Sequence, residues 1–197
     1  MAHFLKELND AQRVAVEKID GPVMVIAGAG SGKTRVLTYR IAYLLDKGVD
    51  AFNILSLTFT NKAAREMKDR IGKIVGDGEA KNLWMGTFHS VFAKILRIEA
   101  ERLGYPINFT IYDADDSKKL ISTIIKEKQL DKDIYKAKSV SSRISSLKNN
   151  LLTPKAYFQN GELQAQDSAA KMPMFGEIYQ AYTERCFRAG AMDFDDL

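Results

Sequence analysis

Short apolar runs alternate with stretches of helical spacing along the first half of the chain. Val23–Ala27 is an apolar run that ends in glycines, the pattern of a buried strand feeding a tight turn. Val36, Leu37, Ile41, Leu44 and Leu45 then recur at helical spacing, and Gly48 stands where such a helix ends. Ile54–Thr58 is a second apolar run. In the segment after it, Ala63, Met67, Ile71 and Ile74 share one helical face while Lys62, Arg65, Asp69 and Lys73 share the opposite one. Leu83–Thr87 reads as a third strand, and Val91, Ile95, Ile98 and Leu103 lie on a helix closed by Gly104. This β-α-β-α-β-α rhythm with short connections predicts an α/β fold, a parallel sheet covered on both faces.

The rhythm breaks after Phe109–Tyr112, a fourth short strand. Asp113–Asn150 is charged and rich in Lys and Ser, which predicts two or three short helices, with Asp113 and Asp115 as N-caps for the helix around Leu120, Ile121 and Ile124. Thr153 with Pro154 opens another helix. The polar stretch Gln159–Lys171 is expected to be a flexible loop, and a final amphipathic helix runs from Met174 through Phe175, Ile178, Tyr182 and Phe187 to Gly190. The expected division is a first α/β domain over residues 1–112, an inserted all-helical subdomain over 113–189, and a return toward the first domain over 190–197.

Composition narrows the class without naming a function. Of 197 residues, 46% are hydrophobic and 27% charged, which excludes disordered and fibrous proteins. The longest apolar stretch is about half a bilayer span and no signal-peptide layout opens the chain, so a cytoplasmic protein without a membrane partner is expected. One cysteine, Cys186, cannot form an internal disulfide, and with two histidines it cannot close a zinc site, so any metal arrives with a ligand. The net charge of +4 is too small to establish a nucleic-acid partner, although bases outnumber acids from Lys62 to Lys81 and from Lys118 to Lys148.

Chemistry concentrates at Ala27-Gly28-Ala29-Gly30-Ser31-Gly32-Lys33-Thr34, between a predicted strand and a predicted helix. This run resembles a phosphate-binding P-loop. Glycines let backbone N–H groups curl around a phosphate, Lys33 neutralises its oxygens, and the Thr34 hydroxyl is the candidate Mg²⁺ ligand. Arg35, the next residue, joins the candidate nucleotide-binding set. Ala27 replaces the first glycine of the general pattern, and the bland alternative is a glycine-rich turn carrying an exposed lysine.

Four further segments carry a resemblance to the UvrD/Rep-type superfamily 1 DNA helicases, in which alanine at the position of Ala27 is a common variant. Leu8-Asn9-Asp10-Ala11-Gln12 looks like that family's adenine-reading segment; an amide donates and accepts at once, as adenine's edge requires, so Gln12 would select ATP. Read alone, Asn9 or Asp10 is equally a helix cap. Leu57-Thr58-Phe59-Thr60-Asn61-Lys62-Ala63-Ala64 resembles the first DNA-contacting motif, with Phe59 stacking on bases and Thr60, Asn61 and Lys62 reaching phosphates; the alternative is a core Phe59 beside an Asn61 cap. Gly86-Thr87-Phe88-His89-Ser90 is similar to the next motif, in which Thr87, Phe88, His89 and Ser90 meet the DNA strand, while a lone histidine is more often structural. Met192–Leu197 resembles the segment ahead of the family's acidic Walker B motif, and its acids read as caps or solvated surface.

The resemblance implies a RecA-like P-loop NTPase domain with a helical insertion, ATP and Mg²⁺ as cofactors, and single-stranded DNA and single/double-strand junctions as partners. It implies an ATP-hydrolysing helicase of 3′–5′ polarity. It also implies that the Walker B acids, arginine fingers and second motor domain lie past Leu197, leaving this chain monomeric and catalytically incomplete alone. A subunit of an AddA/RecB-type helicase-nuclease, or a DNA-binding module with an inactive nucleotide pocket, are the alternatives. A GTPase is excluded because Asn61-Lys62-Ala63-Ala64 lacks the aspartate that reads guanine.

Overall fold

The structure, a computed structural model, describes residues 3–197. It is mixed α/β and resolves into two compact units, Met1–Val91 and Phe92–Leu197. In the first, a 3-10 turn over His3–Glu7 leads to helix α1 (Asp10–Glu17). Asn9 opens α1 by a reciprocal capping arrangement: its side chain accepts from the Gln12 N–H, and the Gln12 side chain accepts from the Asn9 N–H. Helix α2 (Lys33–Asp46) buries Val36, Thr38, Tyr39, Ile41 and Ala42, and the chain turns at Gly48 with φ 83°. Strand β1 (Leu55–Thr58), helices α3 (Asn61–Val75) and α4 (Asp77–Lys81), and strand β2 (Trp84–Thr87) complete the unit.

β1 and β2 pair in parallel, from Leu55 opposite Trp84 to Thr58 opposite Thr87. A core of Ile41, Ile54, Met67, Ile71 and Leu83 packs around them, each such side chain stabilising the unit by about 1.5–3 kcal/mol relative to exposure. The register has a direct consequence. Because Thr58 and Thr87 are partners, the next residues on each strand, Phe59 and Phe88, leave the sheet side by side.

The expected first strand differs. Residues 23–27 form no strand, and Met24 and Ile26 are 84% and 89% exposed. An apolar run becomes a buried strand only where neighbours take its N–H and C=O groups and cover both faces. Among the described residues β1 and β2 pair only with each other, in a two-stranded sheet. Among the described residues no helix is long and apolar enough to cross a membrane.

In the second unit, helix α5 (Phe88–Glu99), within which the division falls, continues as a 3-10 turn over Ala100–Leu103 that closes at Gly104, φ 75°. Ile98 and Leu103, placed on its inner face by spacing, are 65% and 50% exposed. Strand β3 (Thr110–Tyr112), helices α6 (Ala114–Glu127), α7 (Ala137–Asn149), α8 (Pro154–Phe158), α9 (Gly161–Ala169) and α10 (Phe175–Arg188), and strand β4 (Ala191–Asp193) follow. β3 pairs in parallel with β4, Thr110 opposite Ala191, so the strands on either side of the five helices are zipped together. Ile121, Ile124, Val140, Ile144, Tyr157, Phe175 and Ile178 form the helical core.

Asp113 and Thr153 cap α6 and α8 as expected. The expected loop over Gln159–Lys171 is instead mostly helix α9, opened by the Asn160 side chain. What holds it is tertiary: Asp167 is buried, pairs with Arg143 at 3.1 and 3.3 Å, and accepts from the Tyr157 hydroxyl at 2.9 Å. Of the acids after α10, Asp195 and Asp196 are exposed, as a solvated surface would be, and Asp193 is not. Asp193 does cap a turn, accepting from the Asp195 and Asp196 N–H groups, but it is buried. Its carboxylate takes the Lys148 ammonium at 2.8 Å and the Tyr182 hydroxyl at 2.7 Å, and Lys148 also reaches Asp196 at 2.8 Å.

Candidate nucleotide and DNA site

All the candidate site residues lie in the first unit. The P-loop run forms a turn in front of α2. Gly30 and Gly32 have φ of 76° and 87°, left-handed conformations that a side chain resists. At Gly32 space is closed as well, since an added Cβ would meet the Gln12 Nε2 at 2.7 Å. Gly32 begins α2 with no side-chain cap. The leading N–H groups of Lys33, Thr34 and Arg35 thus face a helix N-terminus, where backbone donors and dipole both favour an anion.

Lys33 folds back over the turn. Its Nζ donates to the carbonyls of Ala27 at 2.9 Å and Gly28 at 2.7 Å, and the Ser31 hydroxyl donates to Gly28 O at 2.7 Å. Among the described residues the ammonium is held by neutral carbonyls, weaker partners than phosphate oxygens. Ala29, Gly30, Thr34 and Arg35 are exposed. This donor set would suit a nucleoside triphosphate: an uncapped helix start, an ammonium held by carbonyls it could exchange for phosphate oxygens, and an exposed Thr34 hydroxyl that could hold a divalent metal.

Gln12 is half-buried on α1, and its Nε2 donates to Ser31 O at 3.1 Å. The amide expected to read a base therefore also ties α1 to the glycine-rich turn ahead of α2. A cavity of about 500 Å³ opens here, lined by Gln12, Val23, Ile26, Ala27, Ser31 and Lys33 among others. A second, of about 460 Å³, is lined by Glu7, Arg35, Tyr39, Arg70, Lys73 and Ile74. In it Arg35 donates to the Glu7 carboxylate at 3.0 Å and lies over the Tyr39 ring, while the Tyr39 hydroxyl donates to the same carboxylate oxygen at 2.5 Å. Burial, and then the bond to Glu7, hold the Tyr39 pKa above its ordinary value. Glu7 and Tyr39 escaped the sequence reading, because 28 and 32 residues separate Glu7 from its partners and no motif marks them.

The residues that follow the two strands make a separate surface, Phe59 in the connection to α3 and Phe88 as the first residue of α5. Phe59 is 90% exposed and Phe88 39%, and their rings pack at 5.4 Å between centroids with 36° between planes. Thr60, rather than Asn61, caps α3, accepting from the Ala63 N–H at 3.1 Å. Asn61 and Lys62 occupy the exposed first turn of α3. Thr87 and Ser90 are turned on to each other: Thr87 Oγ1 donates to Ser90 Oγ at 3.0 Å, and that hydroxyl donates to Thr87 O at 2.9 Å. His89 is exposed on the first turn of α5.

Comparison with known proteins decides the family. The model of the UvrD/REP helicase N-terminal domain matches residues 8–197. The chain belongs to that family. This UvrD/REP-type domain is 45% identical to the ATP-dependent DNA helicase PcrA of Staphylococcus aureus over an alignment of 198 positions, covering 100% of the chain and 26% of the relative. The same figures hold for the ATP-dependent DNA helicase PcrA of Staphylococcus epidermidis. The chain therefore spans about a quarter of the length of the curated relatives it matches.

Proposed function

We propose that this domain is the ATP-binding part of a DNA helicase that moves 3′–5′ along single-stranded DNA and opens duplex at junctions. One observation carries the reading: a single compact unit holds both an uncapped phosphate-binding helix start and an exposed aromatic pair at the ends of parallel strands. Bound ATP supplies the phosphoanhydride bond whose hydrolysis drives movement. Lys33 leaves its carbonyls to neutralise phosphate oxygens, the α2 N–H groups bind the same charge, Thr34 holds Mg²⁺, and Gln12 and Arg35 serve the nucleoside end. Phe59 and Phe88 stack on bases without regard to sequence, while Lys62, Asn61, Thr60, Thr87, His89 and Ser90 meet the sugar-phosphate backbone.

In this reading residues 1–112 belong to a RecA-like motor domain, 113–189 are a helical insertion closed at its base by the pairing of β3 with β4, and 190–197 return toward the motor. Identity to helicases over the whole chain supports that reading over an inactive nucleotide pocket, as do the intact Lys33 and Thr34. Unwinding of 3′-tailed against 5′-tailed duplexes by the intact protein, with the Lys33→Ala variant beside it, tests the assignment. Preference for 5′ tails overturns the polarity, and unwinding by Lys33→Ala overturns the site.

A further inference from the structure

We propose that Glu7 is a positioning residue for ATP: it fixes Arg35 as a flat, charge-neutralised platform for the nucleoside end of the ligand. The inference rests on the nucleotide reading above and deepens it. Arg35 sits in the first turn of α2, two residues past the P-loop lysine, where a free guanidinium would swing toward phosphate oxygens. It is not free. Glu7 engages its NH2 edge at 3.0 Å, and the Tyr39 ring lies against the guanidinium carbon at 5.3 Å.

The holder is itself held. The Tyr39 hydroxyl donates to Glu7 at 2.5 Å, Phe4 packs edge-on against Tyr39 at 5.9 Å, and Leu5, 3% exposed, pins the 3-10 turn into a core with Val16, Val36 and Tyr39. A carboxylate gripped from two sides on a turn anchored by buried leucine gives Arg35 one direction. Paired with Glu7, the guanidinium contributes little net charge to a phosphate, but it keeps a planar surface suited to an aromatic base. Arg70 and Lys73 line the same cavity and carry its net positive charge.

The test is equilibrium binding of ATP and of inorganic tripolyphosphate to the protein and its variants. For an ion pair this exposed, Glu7→Ala should raise the ATP dissociation constant about two- to fivefold and leave tripolyphosphate binding unchanged. Glu7→Gln keeps an acceptor for both partners and should recover most of the loss. In an Arg35→Ala background, Glu7→Ala should cost nothing further, which a general loosening of the fold would not reproduce. In steady state the defect should fall on KM for ATP rather than on kcat. Equal losses for ATP and tripolyphosphate, tighter tripolyphosphate binding, or additive effects of the two substitutions would overturn the proposal. Lys33→Ala separates the two levels: if it leaves both ligands bound at wild-type strength, the nucleotide reading itself fails.

Discussion

Replacing Phe59 by alanine isolates base stacking from every other contact the site can make. The ring is 90% exposed and packs on the Phe88 ring at the surface, so its removal should expose almost no core, and folding stability should change by less than about 0.5 kcal/mol. A base stacked on an aromatic ring contributes about 1–3 kcal/mol, so affinity for an oligonucleotide should drop roughly 5- to 150-fold. The loss should be independent of salt, because no counterion is released by an uncharged ring. Lys62→Ala, three residues on, should behave oppositely: a smaller loss at low salt, with the slope of log affinity against log salt flattened by about 0.7 for a single strand. Fluorescence anisotropy of a labelled homopolymer across a salt series reads both quantities. If Phe59→Ala binds with wild-type affinity, or flattens the slope as Lys62→Ala does, the aromatic pair is not a stacking surface.

Other substitutions probe the supports of the site. Gly32→Ala places a Cβ 2.7 Å from Gln12 Nε2 at φ 87°, a strain of about 1–2 kcal/mol; nucleotide binding, followed by calorimetry, should collapse while the helical content by circular dichroism persists. Lys148→Met strands Asp193 without its ammonium and should cost about 3–5 kcal/mol in chemical denaturation at neutral pH, with Asp193→Asn in the same chain restoring part of it. Burial opposes the charge on Lys148, but Asp196 and Asp193 outweigh it and raise the pKa, so its stabilising effect is complete below the ordinary 10.5 and is lost as pH climbs through the higher folded value. Burial likewise opposes ionisation of Asp193, yet Lys148 and the hydrogen bonds to it hold that pKa below 3.8, so its contribution is present above 3.8 and lost on acidification. The gap between wild type and Lys148→Met should therefore narrow in acid, as followed by denaturation midpoints.

What the sequence disclosed were features set by neighbours along the chain. Apolar spacing located the face of α3 and, Leu37 apart, that of α2, Asp113 and Thr153 announced two helix starts, and Gly48 and Gly104 marked helix ends, because caps and left-handed turns are decided within a few residues. Where distant groups decide, the reading fell short. Helix α9 depends on Asp167 finding Arg143 and Tyr157, and the burial of Asp193 depends on Lys148 and Tyr182, both unreadable from composition. Residues 23–27 read as a strand from their own apolarity, yet a strand is a property of a pair. At the candidate site, the motifs singled out the glycines ahead of α2 and the phenylalanines that follow β1 and β2, but the clasp of Glu7 and Tyr39 on Arg35 emerges only when α2 packs against the N-terminal turn.

The most direct test of the central claim is the ATP hydrolysis rate of the intact protein with and without single-stranded DNA, for wild type, Lys33→Ala and Phe59→Ala. Strong stimulation by DNA in the wild type, no hydrolysis above background in Lys33→Ala, and a Phe59→Ala enzyme that needs roughly 5- to 150-fold more DNA for half-maximal stimulation is the predicted result. Hydrolysis that ignores DNA, or that survives the loss of Lys33, would contradict it.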